Sequence, residues 1–445
     1  MQFDLLIRGA TLLTCDGADR VVADGALGIA GDRFTWVGKA ADLPAGSGAV
    51  RTLDLAGRVV TPGFVNVHTH AILSMVRGVA EDLGFAPAYT PGIPHGHDVT
   101  PEEAVALARL GALEALLFGS TLINDSYVHA DLTTGAMAGL GLRVWNCGRI
   151  HDADFSLIGD GRWQHHTAIG EKTLGEALAL AGRWHGRENG RVGVQLAAHA
   201  PDTCSDAFLV EIRKAAESLG LRVNTHLSQS RTEVEQIRRR SNKTPAELLE
   251  DVGLLNDRLT AAHCIFVTES DIERCGRAAI NVAHVPKGNA TGGTIAPTAK
   301  LRAAGARLAL GTDNMHADMV EVMRWALAVG RVQEGKVSDA WQPAGMLRAA
   351  TMGGARAMGL EAEIGSLETG KKADLVAFDF RRPHLVPHVN PAGTLVHTAQ
   401  GRDVEMVLVD GRVVVEGGRP VLADMDEVLA AARKAADALW RRAAG

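Results

Sequence analysis

Two histidines separated by one residue, His68 and His70, follow the apolar segment TPGFVNV, which is typical of a buried strand. On a strand, residues i and i+2 point to the same face, so both imidazoles are expected to project together from the carboxyl end. Such a pair can bind a metal ion, but it also occurs as a surface or structural feature. This motif alone therefore does not establish a metal site.

Three more polar residues end apolar segments further along the chain: His226 in LRVNTH, His263 in LTAAHC and Asp313 in LALGTD. Active sites of parallel α/β barrels lie at the carboxyl ends of the strands, where such side chains would meet. Three histidines and one carboxylate suit Zn²⁺ or Fe²⁺, with an open position left for water. No cysteine is spaced for a thiolate site, so the pattern favours a catalytic metal over a structural one.

The segments between residues 61 and 365 alternate short apolar runs with longer helical patterns. About eight such units over roughly 300 residues favour a closed (β/α)8 TIM barrel. A doubly wound α/β fold is the competing architecture. Its dinucleotide-binding form is disfavoured because no GxGxxG follows an early strand.

Both ends of the chain show short alternating strands joined by Gly and Asp turns. Neither end is long enough for a comfortable core of its own. Residues 1–60 plus 366–423 are therefore expected to form one discontinuous β-sandwich domain, beside a catalytic barrel of residues 61–365. Residues 424–445 are amphipathic and predict a C-terminal helix that packs on the rest of the chain.

The composition indicates an ordinary globular protein: 445 residues, 46% hydrophobic and 22% charged. The net charge of -6 and the scattered basic residues give no support to a nucleic-acid or anionic-membrane partner. The N-terminus lacks the features of a signal peptide, so a cytoplasmic location is expected. The five cysteines are widely spaced, which favours buried reduced thiols.

Taken together, the motifs PGFVNVHTH, THLSQSRTEVE, AAHC, LGTDN and GSLETGKKADLVAFD span almost the whole chain. In them the sequence resembles the amidohydrolase superfamily, in its branch of s-triazine chlorohydrolases and of guanine, cytosine and adenosine-type deaminases. The resemblance implies a distorted (β/α)8 barrel with a flanking β-sandwich. It also implies one divalent metal ion, zinc by expectation and iron as the alternative, held by His68, His70, His226 and Asp313.

The resemblance assigns His263 to the attacking water or the leaving group. Binuclear relatives carry a carboxylated lysine at the end of strand four, but RVGVQLAAHAP has no lysine, so a single metal is expected. His199 stands in that segment and matches the substrate-contacting histidine of the nucleoside-type deaminases.

One departure from the family pattern concerns proton transfer. The branch carries H-x-x-E after strand five, whereas this chain has Gln229 at the glutamate position. Because an amide cannot shuttle a proton, either Asp313 and His263 take over this work or the leaving group needs little protonation. Glu233 and Glu235, further along the next helix, are expected to be salt-bridged surface residues.

Other candidates for substrate contact are placed by loops or strand ends. Tyr89, His95 and His97 lie in a Pro/Gly-rich loop that would cover the barrel mouth. Asn124 ends the second-strand pattern, and Asn314 follows Asp313.

The sequence therefore predicts a mononuclear metal-dependent hydrolase that acts on carbon-nitrogen, non-peptide bonds of a small nitrogen heterocycle. The alternative is a hydrolytic dehalogenase or a thiolate-displacing hydrolase on an aromatic heterocycle, which Gln229 favours. A non-catalytic scaffold is a third hypothesis, disfavoured because all four expected ligands are present. The subunits are expected to form a homo-oligomer, a dimer or larger.

Overall fold

A computed structural model of the chain describes residues 1–83, 93–314 and 316–444, with only the backbone described at residue 83. Within these ranges the strands form two nine-stranded sheets. The strands are β1 Gln2–Leu13, β2 Val21–Ala30, β3 Arg33–Lys39, β4 Gly48–Asp54, β5 Arg58–Pro62, β6 Phe64–Thr69, β7 Ser120–Tyr127, β8 Arg143–Ile150, β9 Val192–Val194, β10 Leu196–Ala198, β11 Val223–Leu227, β12 Leu259–His263, β13 Asn281–His284, β14 Arg307–Leu310, β15 Leu375–Asp379, β16 Val404–Val409, β17 Arg412–Glu416 and β18 Arg419–Pro420.

The helices follow most barrel strands and lie on the outside of the barrel. They are α1 Ala80–Leu83, α2 Pro101–Leu117, α3 Ala130–Ala138, α4 Phe155–Ile158, α5 Thr167–Trp184, α6 Arg187–Gly190, α7 Asp206–Leu219, α8 Arg231–Ser241, α9 Pro245–Asp251, α10 Glu269–Arg277, α11 Pro286–Thr291, α12 Thr298–Ala303, α13 Met319–Glu334, α14 Pro343–Arg348, α15 Gly354–Met358, α16 Pro391–His397 and α17 Met425–Ala444. Among the described residues, none of these helices is both long and apolar enough to cross a membrane.

The second sheet is parallel and nearly closes on itself, in the order β6-β7-β8-β10-β11-β12-β13-β14, with β9 paired to β8. A parallel bridge between Thr69 and Asp313 joins the two ends of this order. The interior below the mouth is apolar and includes Val65, Val67 and Trp145. The predicted (β/α)8 barrel is therefore confirmed.

The first sheet is mostly antiparallel and combines strands from both ends of the chain. Strand β5 from the N-terminal part pairs with β15 from the C-terminal part, with Val60 opposite Ala377. The two ends thus meet in one layer beside the barrel. The boundaries at residues 60, 365 and 423 stay predictions.

Local sequence signals explain where several helices begin. The Thr100 hydroxyl accepts a hydrogen bond from the Glu103 amide, and the Glu103 carboxylate accepts one from the Thr100 amide, with Pro101 at the first helical position of α2. The same reciprocal capping, built on Thr244 and Glu247, starts α9. These caps set the first residues of α2 and α9.

The expectations for the C-terminal segment and the cysteines agree with the structure. Helix α17 packs on α2, and the Trp440 indole donates to the Met75 carbonyl at 3.0 Å. All five cysteines are unpaired and buried.

One buried ionic cluster connects the barrel to the first sheet. Arg143 at the start of β8 donates two hydrogen bonds to Asp374, both of 3.0 Å, and one of 2.6 Å to Asp410. Only 3% of the Arg143 side chain and 2% of the Asp374 side chain are exposed. Both aspartates therefore have a cationic partner, and Lys372, 3.7 Å from Asp410, is the second cation of the cluster.

Removing the cation from this cluster should destabilise the protein. Arg143→Met leaves the buried Asp374 carboxylate without its cation and leaves Asp410 with only Lys372, at 3.7 Å, so we expect the free energy of unfolding to fall by about 3 to 5 kcal/mol. Arg51→Met, which breaks a half-exposed pair with Glu416, is the matched control and should cost at most about 1 kcal/mol. Urea titration followed by circular dichroism measures both. Equal losses of unfolding free energy in the two variants would mean that the cluster does not stabilise the contact between the barrel and the first sheet.

Candidate metal centre and active site

The seam that closes the barrel also brings the candidate ligands together. The Asp313 amide donates to the His68 carbonyl at 2.9 Å, and the His70 amide donates to the Asp313 carbonyl at 3.2 Å. The Thr69 hydroxyl donates to the same Asp313 carbonyl at 2.9 Å. Gly311 makes this approach possible, because a Cβ there would lie 2.8 Å from the His68 Cβ.

Four imidazoles and one carboxylate lie together at this end of the barrel. The Nε2 atoms of His70 and His226 are 3.3 Å apart. Asp313 Oδ1 lies 3.6 Å from His68 Nε2 and 3.5 Å from His70 Nε2, and Asp313 Oδ2 lies 3.9 Å from His263 Nε2. Two overlapping groups, one of His68, His70 and His226 and one of His68, His263 and Asp313, each have ligand atoms within 4.8 Å of one another. Side chains at this spacing can hold a metal ion.

Hydrogen bonds at the opposite ring nitrogens orient two of the imidazoles. His70 Nδ1 donates to the Ser126 carbonyl at 2.7 Å, and His226 Nδ1 donates to the His199 carbonyl at 2.6 Å. Because a carbonyl oxygen can only accept, each Nδ1 carries the proton and each Nε2 presents a lone pair. This tautomer is the one that a metal-ligating histidine needs.

Burial keeps the cluster in the protonation states that suit a cation. Burial, with His68 nearby, lowers the pKa of His70 to about 3, and burial also holds the pKa of His226 well below its usual value. Burial alone would raise the pKa of Asp313, but the neighbouring histidines hold it below its ordinary range. His70 and His226 are thus neutral beside an ionised carboxylate.

The backbone at this site adopts conformations that most residues avoid. His263 and Asp313 have φ angles of 71° and 63°, in the left-handed region. Such conformations persist where the surrounding structure imposes them, often at functional sites. Here they turn the two side chains inward from the ends of β12 and β14.

His263 and His199 flank the cluster. His263 Nδ1 donates to the Asn289 side-chain oxygen at 3.0 Å, which fixes the plane of the ring. His199 Nδ1 lies 2.8 Å from the Thr203 hydroxyl, and its ring centroid lies 5.0 Å from that of His226. Burial keeps the pKa of His199 well below its usual value, so the ring is neutral.

The structure separates Gln229 from the two glutamates that follow it. Gln229 lies three residues after His226 at the carboxyl end of β11 and is partly exposed. The expectation that Glu233 lies at the surface is wrong: it is fully buried, and its carboxylate accepts the amides of Ser228 at 2.7 Å and Gln229 at 2.8 Å. Burial raises its pKa. Glu235 is exposed and lies 3.5 Å from Arg239, as predicted.

The loop candidates have different locations. Tyr89 lies outside the described residues. His95 is exposed and lies 3.8 Å from Asp98. His97 is instead brought inward, where its Nε2 accepts a 2.8 Å hydrogen bond from Arg149 and its ring packs 5.0 Å from that of Phe155.

The two asparagine candidates also differ. Asn124 is buried inside the barrel, where its amide donates to the Val67 carbonyl at 2.9 Å and its oxygen accepts from Cys147 at 3.2 Å. Both ends of this amide are thus used in the barrel interior rather than presented to a ligand. Asn314, next to Asp313, is partly exposed at the mouth, and its substrate contact stays a prediction.

Sequence reasoning missed Arg149 at the end of β8. Its guanidinium lies 4.5 Å from the centroid of the Tyr127 ring. Burial is the main cause of the lowered pKa of His199, and the charge of Arg149 is the second. Its Nε is buried without a hydrogen-bond partner among the described residues. Arg149 is the penultimate residue of β8, the same place that His226 has in β11.

Comparison with protein families agrees with this geometry. The sequence matches the Amidohydrolase family over residues 59–414. It is 38% identical over 441 residues to a 5-methylthioadenosine/S-adenosylhomocysteine deaminase of Desulforudis audaxviator, covering 97% of this chain and 98% of that protein. It is 32% identical over 448 residues to a 5'-deoxyadenosine deaminase of Methanosarcina acetivorans, covering 99% of each.

Solved structures show the same architecture. An adenosine deaminase of Xanthomonas campestris with bound zinc superposes with a TM-score of 0.89 at 27% identity, covering 98% of this chain and 99% of that one. A zinc complex of atrazine chlorohydrolase from Arthrobacter aurescens gives a TM-score of 0.85 at 23% identity, covering 97% and 100%. The second likeness concerns the fold alone.

The buried carboxylate of Glu233 can be tested against its exposed neighbour on the same helix. Glu233→Ala leaves the buried Ser228 amide and the partly buried Gln229 amide without their acceptor, and we expect a loss of about 1 to 3 kcal/mol for the buried one. Glu235→Ala should change the free energy of unfolding by no more than about 0.5 kcal/mol. Denaturant titration of both variants provides the comparison. Similar small effects would show that the Ser228 and Gln229 amides find other acceptors.

Proposed function

The chain belongs to the amidohydrolase family, and on that premise we propose that this metal-dependent hydrolase is a mononuclear deaminase of adenine-type nucleosides. The observation that carries the proposal is the cluster of imidazoles around the Asp313 carboxylate at the barrel mouth. Relatives that match nearly the full length are named as deaminases of adenosine derivatives, which supports a small heterocyclic substrate. The expected homo-oligomer and cytoplasmic location stay predictions.

We assign the metal ligands to His68, His70, His226 and Asp313. The donors fit a cation, because His68 Nε2 is buried without a hydrogen-bond partner among the described residues, and His70 and His226 direct Nε2 inward. Imidazole and carboxylate donors suit zinc, the ion bound in the Xanthomonas deaminase, with iron as the alternative. The β10 segment offers no lysine for a second ion, so one ion per chain is proposed.

The proposed reaction is hydrolysis of the exocyclic carbon-nitrogen bond of the purine ring. Water adds to the ring carbon that bears the amino group, the carbon-nitrogen bond breaks, and the nitrogen leaves as ammonia. A bound divalent ion supplies a water of lowered pKa at this position. The protein must then accept the proton of the water and return a proton to the leaving nitrogen.

His263 and Asp313 are the proposed proton carriers. Asp313 Oδ2 lies 3.9 Å from His263 Nε2, so both groups face the same volume. The Asn289 amide oxygen holds the proton on His263 Nδ1, which leaves Nε2 to exchange protons. Glu233 does not serve this purpose in the proposal, because its carboxylate is already used by two backbone amides.

His199, His97 and Arg149 are the proposed substrate contacts. The Phe155 ring lies 5.2 Å from His199 and 5.0 Å from His97, and forms an aromatic wall between them. Such a wall can stack against a purine ring, while polar groups at its edge fix orientation. Asn314 at the mouth remains a further candidate.

Gln229 supports a second candidate, the displacement of a halide or thiolate. At this position the side chain is an amide, which cannot supply a proton to a departing amine. A chloride or thiolate leaves without one. The two reactions differ in what Gln229 does, so one substitution can separate them.

The metal assignment predicts coupled loss of metal and turnover. His226→Ala should reduce bound metal from about one ion per chain to near zero and abolish ammonia release from 5'-methylthioadenosine and 5'-deoxyadenosine. Elemental analysis and an ammonia assay measure the two effects. His397→Ala, an exposed histidine on α16, is the matched control and should retain both. Two tightly bound ions, or full turnover after chelation, would contradict the mononuclear proposal.

Gln229→Glu tests the leaving group with a near-isosteric change. If the native reaction expels ammonia with His263 and Asp313 as carriers, the added acid duplicates their work. The ratio of kcat/KM for matched amino- and chloro-substituted rings should then change by less than about tenfold. A selective rise in ammonia release, by about tenfold or more, would favour the halide or thiolate reaction instead.

A further inference from the structure

A cavity lies at the amino-terminal end of the barrel, away from the metal cluster. It has a volume of about 410 Å³, and its walls include Trp145, His185, Gln195, Arg222 and Arg258. Arg222 and Arg258 directly precede β11 and β12, so they stand at the ends of the strands opposite to His226 and His263. Ligand sites of proteins commonly have this size.

Two guanidinium groups line this cavity, and a third arginine, Arg307, lies on the same rim of the barrel. Arg222 precedes β11, Arg258 precedes β12, and Arg307 begins β14, so the parallel order of the sheet places all three at one rim. Burial, then the charge of Arg258, lowers the pKa of Arg222, with a smaller contribution from Arg307. Like charges brought together in this way disfavour the folded state unless other groups compensate.

Contacts within the protein compensate the charges of two of these arginines. Arg258 donates to the carbonyl of Gly220 at 2.6 Å and of Leu221 at 3.1 Å, just beyond the C-terminus of α7. A cation is favourable at that end of a helix. Arg307 lies 3.8 Å from the Asp257 carboxylate.

The charge of the Arg222 guanidinium is compensated much more weakly. It donates one long hydrogen bond, of 3.4 Å, to the Asp257 carbonyl. The carboxylates of Asp257 and Glu361 act on it electrostatically, but no carboxylate of the described residues lies within 4.0 Å of its guanidinium. The side chain is partly buried, so the arrangement leaves a desolvated guanidinium facing the cavity.

We propose that this cavity binds a small organic phosphate, with the guanidinium of Arg222 as its main contact and Arg258 beside it. A guanidinium presents paired donors that match phosphate oxygens, and a dianion offsets the repulsion between the two arginines. The cavity exceeds the size of the phosphate group itself. Trp145 and His185 belong to the wall that the organic part would contact.

Isothermal titration calorimetry of the metal-loaded enzyme tests the site. The probes are ribose 5-phosphate and inorganic phosphate, with ribose as the uncharged comparison. We expect saturable binding of ribose 5-phosphate, a Kd raised about tenfold or more in Arg222→Gln, and no change in Arg433→Gln. Arg433 is an exposed arginine on α17, far along the chain from the cavity. Turnover at the barrel mouth should stay unchanged in both variants.

Two further variants distinguish binding at this cavity from binding at the metal centre and from a loss of folding. His226→Ala should retain ribose 5-phosphate binding, because the metal lies at the other end of the barrel. Arg258→Gln should also weaken binding, which provides a second variant if Arg222→Gln fails to fold. The proposal is overturned if no saturable binding appears up to about 10 mM, or if Arg222→Gln binds as the wild type does. Equal affinity for inorganic phosphate would show that the cavity recognises the phosphate group alone, and would overturn the role of its organic part.

Discussion

The hydrogen bonds between the ends of the first and last barrel strands are the constraint on which the site depends. Asp313 bonds through its backbone to His68 and His70, so the contact that closes the barrel also sets the carboxylate among the imidazoles. The left-handed φ of Asp313 and the missing side chain of Gly311 make this contact possible. A change that opens the seam would therefore separate the candidate ligands, even if every side chain were retained.

Burial then determines what the cluster can do chemically. Desolvation favours neutral imidazoles, and the carbonyls of Ser126 and His199 hold the protons on the outer nitrogens. The lone pairs consequently converge on a volume that also contains a carboxylate. Without a cation, at least the Nε2 of His68 has no partner among the described residues, and a buried polar atom of this kind costs free energy. A bound metal ion removes that cost, which is why the arrangement supports a metal site.

The fold and the cluster could be predicted because their signals are local. An apolar run that ends in a histidine or aspartate marks both a barrel strand and the polar residue at its carboxyl end. Glu233 could not be predicted in this way, since its side chain turns back from the first turn of α8 to the amides before it, and the sequence pattern resembles that of an exposed acid. For Asn124 the position on the strand suggested the mouth, and the structure shows that both ends of its amide are hydrogen-bonded inside the barrel. Arg149 has the same place in its strand as His226, and its role depends on Tyr127 and His97, which are distant in sequence.

The most direct measurement of the central claim is anomalous X-ray diffraction from crystals of the purified protein, with data collected on either side of the zinc and iron absorption edges. The account predicts one strong anomalous peak per chain, bounded by the Nε2 atoms of His68, His70 and His226 and by a carboxylate oxygen of Asp313. The edge at which the peak appears identifies the element. Two peaks at the barrel mouth, or a single peak that these four side chains do not surround, would contradict it.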